Sequence, residues 1–386
     1  MPPPVSAKSE EVIADVASAD TLGALHAALV RHRILGPEAR FLQFEFDITS
    51  KCNLRCRMCY FSIDEIFFAK PVYLAPEHLG RLTPWFDRAH TVTLSLGNEP
   101  LTSPHFISIL ERIAPARVPN VTFYTNGVLF SQRTIDAVLD LGVTQVCLSA
   151  DGARRETFED IRRGASFDRF VSNVRALTAG RRRRGQRTPA LRLNVVLMQR
   201  NLPELPSLVD LAASLEIAEI NFCHVVSYDG LAMDGESLRH VPEAWNEMRD
   251  RVITAAALTG VRITAIPPPF GTDADRDLEA MPASAPTPEV ERQTPYCLYP
   301  FFHVSMDAGG HVLACPFAHG EAPYGRLDEA GATIESIWLN DAFRTLRSRI
   351  LRDDPPSMCR RCAYLANRHP DRAALFATRP WEPATA

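Results

Sequence analysis

The sequence predicts an α/β fold in which parallel strands are joined by helical crossovers. Six short runs with the pattern of buried or half-buried strands follow one another between residues 42 and 226, and helical patterns lie between them. With 386 residues, 46% of them apolar, the chain is long enough to bury a large core and to form two domains. This alternation predicts parallel strands with right-handed crossovers, and it leaves a doubly wound sheet and an incomplete barrel open.

Each element is predicted from its own pattern. Residues 12–32 carry apolar positions at helical spacing and predict one or two lead-in helices. The run RRRRG at 181–185 is interpreted as a solvated basic turn after a helix that ends near Gly180. The strands are predicted at 42–48, 91–96, 121–125, 144–150, 191–198 and 218–226, and the helices between them at 103–114, 131–142, 167–180 and 205–216.

The composition changes after Ile266. The next residues are rich in Pro, Ala and acidic side chains, which is typical of a linker, and four cysteines follow in the last hundred residues. The predicted organisation is a helical lead-in at 1–41, a core domain at 42–266, a linker at 267–290, a cysteine-bearing domain at 291–366 and a tail at 367–386.

Charge and composition exclude some partners. The net charge of −4 gives no basic footprint for a nucleic acid. No run of about eighteen apolar residues predicts a membrane span, and the first residues lack the pattern of a secretory signal. We therefore expect a cytoplasmic protein that binds neither nucleic acid nor membrane, in which clustered cysteines serve metal binding or catalysis.

Cys52, Cys56 and Cys59 lie within eight residues, directly after the first predicted strand. A closed zinc site or a cluster held only by protein would need a fourth ligand, and the next cysteine is Cys147. The loop is therefore one ligand short, so a metal centre held there keeps a position open.

The spacing C-x3-C-x2-C in this loop resembles the signature of the radical S-adenosylmethionine (SAM) enzymes. The resemblance implies a partial (β/α)6 barrel and a [4Fe–4S] cluster held by the three cysteines, whose open iron binds SAM. It also implies that an electron from a donor such as a flavodoxin or ferredoxin cleaves SAM to a 5′-deoxyadenosyl radical, which removes a hydrogen atom from a substrate. The position before the third cysteine, usually aromatic in that family, is Met58 here, and Tyr60 follows.

Further motifs support the resemblance. The first, Gly97-Asn98-Glu99-Pro100, resembles the family's GGEP motif, which contacts the SAM amino group; Asn98 replaces the second glycine. After the fourth strand, Ser149, Asp151 and Gly152 resemble the Ser-x-Asp-Gly element that lines the SAM or substrate pocket. Asn194 matches a polar position that often faces SAM, although an ordinary buried asparagine remains an alternative.

The late cysteines form a second pattern. Cys297, Gly310 and Cys315 followed by Cys359 and Cys362 give C-x12-G-x4-C and C-x2-C, which resembles the opening of a SPASM domain or its shorter twitch relative. The resemblance implies one auxiliary [4Fe–4S] cluster held by four thiolates. A structural zinc site with the same ligands remains an alternative.

The remaining cysteines bear on the reaction. Cys147 is expected to pack in the core, whereas Cys223, near the end of the sixth strand, is a candidate to return a hydrogen atom to a substrate radical. His224 and Tyr228 are candidates for substrate contacts. The expected reaction is dehydrogenation or epimerisation of a small polar substrate of the sugar or aminocyclitol type; maturation of a ribosomally made peptide and a non-catalytic iron–sulfur or zinc protein are the alternatives.

Overall fold

A computed structural model describes the chain in two compact units. The described residues are 11, 14–15, 18–32, 42–95, 97–227, 230–271, 299–315, 323–352, 354, 356 and 359. The first unit is formed by residues 1–45, 77–91 and 276–386, and the second by residues 46–76 and 92–275. Most of the predicted linker and the whole predicted tail lie outside the described residues.

The described elements alternate between strands and helices over most of the chain. The strands are β1 Leu42–Phe46, β2 Ala89–Leu94, β3 Asn120–Thr125, β4 Gln145–Ser149, β5 Ala190–Leu197, β6 Glu219–His224, β7 Arg262–Ala265, β8 His303–Met306, β9 His311–Leu313 and β10 Gly325–Arg326. The helices are α1 Leu22–Arg31, α2 Asp64–Phe67, α3 Pro76–Gly80, α4 Thr83–Phe86, α5 Phe106–Ile113, α6 Gln132–Asp140, α7 Arg155–Ile161, α8 Phe167–Arg183, α9 Leu205–Ser214, α10 Pro242–Thr259, α11 Tyr299–Phe302, α12 Ile334–Trp338 and α13 Asp341–Leu351.

The second unit is built on a parallel sheet. Strands β3 to β7 are neighbours in sequence order, and each pairs in parallel with the next. Helices α6 and α8 begin at serine caps, since the Ser131 Oγ accepts from the Thr134 N–H and the Ser166 Oγ accepts from the Arg169 N–H. Helix–strand alternation with parallel pairing is the arrangement that the sequence predicts.

Alternate residues of this sheet differ in polarity. In β5, Leu191, Leu193, Val195 and Leu197 are buried, and the residues between them are half-buried. The strand register aligns the second set across the sheet, with Tyr124, Cys147, Arg192 and Glu219 in one row and Ser149, Asn194 and Asn221 in the next. We call this surface the polar face of the sheet.

In the first unit, strands β10, β9, β8 and β1 are neighbours in this order. Strands β8, β9 and β10 pair antiparallel. Phe44 of β1 packs edge-on against Phe86 of α4, with ring centroids 5.4 Å apart. Trp338 and Phe343, from α12 and α13, are also buried in this unit.

The structure confirms the six predicted strands and the four predicted helices, and it adds β7, which the sequence reading did not predict. The predicted end of α8 near Gly180 was wrong, because the helix continues to Arg183. Gly180 is a packing position, where a Cβ would lie 2.9 Å from the Leu139 Cδ1, and Gly185 has the positive φ of 64° that ends such a helix. In the described ranges no helix has both the length and the apolar composition needed to cross a bilayer.

Candidate active site

The loop after β1 carries the three clustered thiols. Cys56 is buried, and Cys52 and Cys59 are half-buried. The loop folds back on itself, since the Cys59 N–H donates to the Cys56 carbonyl at 3.1 Å and the Ser62 hydroxyl donates to the same carbonyl at 2.7 Å. These local bonds fix the shape of the loop between Cys56 and Ser62.

A second set of hydrogen bonds attaches the loop to the end of α7. The Arg55 N–H donates to the Arg163 carbonyl at 3.0 Å, and the Arg57 N–H donates to the Ile161 carbonyl at 2.9 Å. The Arg57 side chain reinforces the attachment, because its Nε donates to the Asp160 carbonyl at 2.9 Å. The shape of the loop therefore depends on residues about a hundred positions later.

Burial is the main influence on the pKa of each clustered thiol. Burial raises the pKa of Cys52 to about 11 and that of Cys56 to about 12, and it also raises the pKa of Cys59. The neighbouring thiols add to the rise at Cys52 and Cys56 by charge repulsion, while the Arg162 guanidinium opposes it at all three. A cationic iron would replace the three protons, so this set of soft donors fits a cluster.

The arrangement differs from a site for a single ion. Within the described ranges no three His, Cys, Asp or Glu side chains converge as ligands of one metal ion. A cubane takes one thiolate at each of three irons when its fourth iron is left open. The three thiols of this loop supply that number of ligands.

The second motif, at residues 97–100, is tied to the cysteine loop by the Glu99 N–H, which donates to the Lys51 carbonyl at 3.1 Å. The Glu99 carboxylate is fully buried and accepts from the Thr125 hydroxyl at 2.8 Å and the Asn126 N–H at 2.7 Å. Burial raises the pKa of Glu99 to about 7. Pro100 begins a short 3₁₀ turn directly after it.

Two features of this motif lie beside the cysteine loop: Gly97 has no side chain, and the side-chain oxygen of Asn98 is an unpaired acceptor. A Cβ on Gly97 would lie 2.6 Å from the Phe61 Cε2 and 3.2 Å from the Tyr60 hydroxyl, so both aromatic rings rest against this glycine. The Asn98 Oδ1 is buried and has no hydrogen-bond partner. An orphaned acceptor is costly to bury, and a donor such as the amino group of a bound cofactor would satisfy it.

The residues of the third motif lie at the ends of neighbouring strands. Ser149 is paired in register with Asn194, whose Oδ1 is also buried without a hydrogen-bond partner. Asp151 is fully buried, and its carboxylate is used inside the protein: the Oδ1 accepts from the Val196 N–H at 2.7 Å, and the Oδ2 lies 2.7 Å from the Arg162 Nη2. Cofactor contacts by these residues stay predictions.

Gly152 is required by packing. A Cβ there would lie 2.4 Å from the Phe158 backbone nitrogen, so no other residue fits against the first turn of α7. The glycine of this motif therefore allows α7 to approach the end of β4. Arg162, at the other end of the same helix, is the buried cation of the site.

Arg162 was missed by the sequence reading. In the letters DIRRG it is one of two adjacent arginines, and nothing in the sequence distinguishes a buried arginine from a surface one there. In the structure Arg162 is 7% exposed. Its partner, Asp151, belongs to a predicted motif. A buried aspartate needs a positively charged partner, and this need was the signal that could have pointed to an arginine such as Arg162.

Cys223 lies on the polar face, opposite Val196 in the strand register and near the end of β6. Its side chain is exposed, and its Sγ lies 3.7 Å from the Val195 carbonyl oxygen. The thiol is open to solvent on one side and surrounded by protein on the others, and this partial burial raises its pKa to about 11. The thiol therefore stays protonated near neutral pH.

The other predicted residues have different surroundings. Cys147 is buried, as expected, but its Sγ lies 3.0 Å from the Arg192 Nη2 on the polar face. His224 stacks on Phe270, with ring centroids 5.4 Å apart. Tyr228 lies outside the described residues.

The second cysteine pattern is described in part. Cys315 and Cys359 are half-buried. Cys297 and Cys362 lie outside the described residues, so the predicted set of four ligands stays a prediction.

Comparison with family models gives two matches in this chain. The radical SAM superfamily model matches residues 46–189, and the SPASM model, an iron–sulfur cluster-binding domain, matches residues 297–363. The second match contains all four late cysteines.

Two curated relatives each match the chain over less than half of its length. A probable GTP 3′,8-cyclase of Methanocaldococcus jannaschii is 26% identical over 190 residues, 48% of this chain and 60% of the relative. A GTP 3′,8-cyclase of Streptomyces coelicolor is 32% identical over 158 residues, 39% of this chain and 43% of the relative. The chain thus spans between about two fifths and three fifths of these two relatives.

Solved structures share the fold. SuiB of Streptococcus suis bound to S-adenosylmethionine aligns with a TM-score of 0.61 and 15% identity, covering 88% of this chain and 74% of SuiB. The structure titled Native anSMEcpe with bound AdoMet aligns with a TM-score of 0.54 and 14% identity, covering 84% of this chain and 88% of that chain. At this identity the likeness shows the fold alone, and the predicted incomplete barrel is consistent with it.

Proposed function

The chain carries a radical SAM domain and a SPASM domain, and from this premise we propose that it is a radical SAM enzyme that epimerises a small polar substrate of the sugar or aminocyclitol type. The radical SAM domain implies a [4Fe–4S] cluster and SAM, and the SPASM domain implies an auxiliary iron–sulfur cluster. When bound, the first cluster and SAM supply the oxidising species that removes a hydrogen atom from the substrate. The protein side chains then determine which product forms from the substrate radical.

One observation carries the choice of epimerisation: an exposed, protonated thiol stands on the polar face near the end of β6. A thiol, unlike a thiolate, has a hydrogen atom to give. The S–H bond of Cys223 would break, a new C–H bond would form on the substrate, and a thiyl radical would remain on the sulfur. One electron and one proton then restore the thiol, and the electron comes from a reductant of the flavodoxin or ferredoxin class.

The other polar side chains of the site are placed to contact a bound cofactor or the substrate. The orphaned acceptors of Asn98 and Asn194 and the half-buried Ser149 offer polar contacts to a bound cofactor. The polar face, with Tyr124, Arg192 and Glu219 in one row, favours a substrate with several hydroxyl or amino groups over an apolar one.

The test uses heavy water. Sugars and aminocyclitols are incubated in D₂O with the reconstituted protein, SAM and a reductant, and GTP and peptides form separate arms because of the named relatives and fold neighbours. We expect one deuterium at one carbon of an otherwise unchanged product. The Cys223→Ala variant should still cleave SAM but lose deuterium uptake at least tenfold. Unchanged uptake in Cys223→Ala would refute the role of this thiol.

The SPASM match favours a second candidate, dehydrogenation. In this reaction the substrate radical would lose a proton and one electron to leave a carbonyl, and a cluster held by Cys297, Cys315, Cys359 and Cys362 would supply the electron acceptor. A new carbonyl without deuterium would identify the dehydrogenase. Product only from a peptide arm or from GTP would exclude the small polar substrate class, and absence of SAM cleavage under reducing conditions would indicate a non-catalytic metal protein.

A further inference from the structure

We propose that Arg162 acts as a positioning residue that holds a positive charge against the Cys56 thiol and raises the reduction potential of the cluster bound by Cys52, Cys56 and Cys59. The inference depends on cluster binding by these three residues, as in the proposed function. It does not depend on which substrate is used.

The backbone places Arg162 beside Cys56. The two residues that flank Cys56, Arg55 and Arg57, donate their N–H groups to the carbonyls of the two residues that flank Arg162. This pairing fixes Arg162 opposite Cys56 in the manner of two neighbouring strands.

The side chain directs its charge toward the Cys56 sulfur atom. The Arg162 Nη1 lies 3.9 Å from the Cys56 Sγ, and the Arg162 Nε is buried without a hydrogen-bond partner. Cys56 and Arg162 are both buried, so water does not screen the Arg162 charge from this sulfur.

Asp151 holds the guanidinium in place. It accepts from the Val196 N–H, and its backbone carbonyl accepts from the Asn201 Nδ2 at 2.9 Å, so it is fixed at both ends. Asp151 and Arg162 are 0% and 7% exposed, and charges that deep interact strongly because water does not screen them. A buried ion pair of this kind could serve only to fasten α7, and the test must distinguish that role.

The expected effect concerns the reduced cluster. Reduction adds a negative charge, and a nearby cation stabilises that charge and raises the potential. Loss of the Arg162 charge should therefore make the cluster harder to reduce. Loss of the Asp151 charge, with Arg162 retained, should make it easier to reduce.

The experiment is a potentiometric titration of the anaerobically reconstituted full-length chain, followed by electron paramagnetic resonance. The signal that changes on addition of SAM identifies this cluster and separates it from an auxiliary one. At the wild-type midpoint we expect Arg162→Gln to lower the ratio of reduced to oxidised cluster about tenfold, which corresponds to about 59 mV for one electron. Arg162→Lys, which keeps the charge, should restore most of the potential, and Asp151→Asn should raise it above wild type.

Arg57→Gln is the matched control. It removes one positive charge from the cysteine loop itself, but the Arg57 side chain is partly exposed and paired with Asp160. Its removal should change the potential much less than Arg162→Gln does.

An unchanged potential in an Arg162→Gln variant with full iron content would overturn the proposal. If the Arg162→Gln variant does not hold its cluster, the Asp151→Asn variant provides the test. A reduction potential equal to or lower than that of the wild type would show that the ion pair only fastens α7. These measurements use no substrate, so the potentials can be interpreted even if the proposed reaction does not occur.

Discussion

Glu99 has a raised pKa because its carboxylate is buried, and this makes the stability of the protein depend on pH at one residue. The folded protein holds the Glu99 proton up to about pH 7, whereas the unfolded chain releases it near the usual 4.5. The folded state therefore binds more protons between these values. The Glu99 contribution to the free energy of unfolding should fall as the pH rises through this window, by at most about 1.4 kcal/mol per pH unit, and stay constant above it.

Glu99→Gln removes this titration. We expect urea unfolding of the variant to depend less steeply on pH between 5 and 7 than unfolding of the wild type. Asp136→Asn is the control, because Arg184 lowers the pKa of Asp136 and its titration lies below this window. Parallel pH profiles for Glu99→Gln and the wild type would contradict the prediction.

At the scale of elements, the approach of α7 to the end of β4 depends on Gly152. A Cβ there would meet the backbone of α7, and a backbone cannot swing aside as a side chain can. We expect Gly152→Ala to lower the free energy of unfolding by about 1–3 kcal/mol, measured by urea denaturation.

Gly235→Ala is the matched control, since a Cβ there meets nothing within 4 Å. It should change the free energy of unfolding by less than about 0.5 kcal/mol. Equal effects of the two substitutions would show that α7 can move away from β4 at little cost.

Elements were predicted well where the pattern is local. The strands show in the alternation and length of their apolar runs, and the thiol loop shows in its spacing. Strand β7 was missed because its four residues, RITA, are only half-buried or exposed and give a weak pattern. The end of α8 was misplaced because Gly180 and Gly185 look alike in a sequence, and only packing against Leu139 and the backbone φ distinguish them.

The predicted residues of the candidate site are those that lie in recognisable motifs or have a chemically distinctive side chain. The three thiols, Glu99 and Cys223 carry chemistry that their residue types reveal. Arg162 and Arg192 owe their importance to neighbours on other elements, which a single sequence does not display. Asp151 was predicted to line a pocket, which stays a prediction, and its described contacts position Arg162.

At the scale of the whole molecule, the two matched domains predict two metal centres. Anaerobically prepared protein should contain about eight irons per chain, and the variant with Cys52, Cys56 and Cys59 changed to Ala should contain about four. Iron and acid-labile sulfide are counted together, with zinc measured in the same samples. About four irons falling to none, with zinc present, would show that the late cysteines hold zinc instead of a cluster.

The attachment of the cysteine loop to α7 also has a consequence for biosynthesis. Arg57 and its partner Asp160 are 103 residues apart, so a growing chain exposes three thiols long before the segment that shapes them has been translated. At about 5–20 residues per second this interval lasts roughly 5–20 seconds. During it the thiols have neither their geometry nor the Arg162 charge. We therefore expect iron to be inserted only after the segment around Asp160 has left the ribosome, into a site that is already folded.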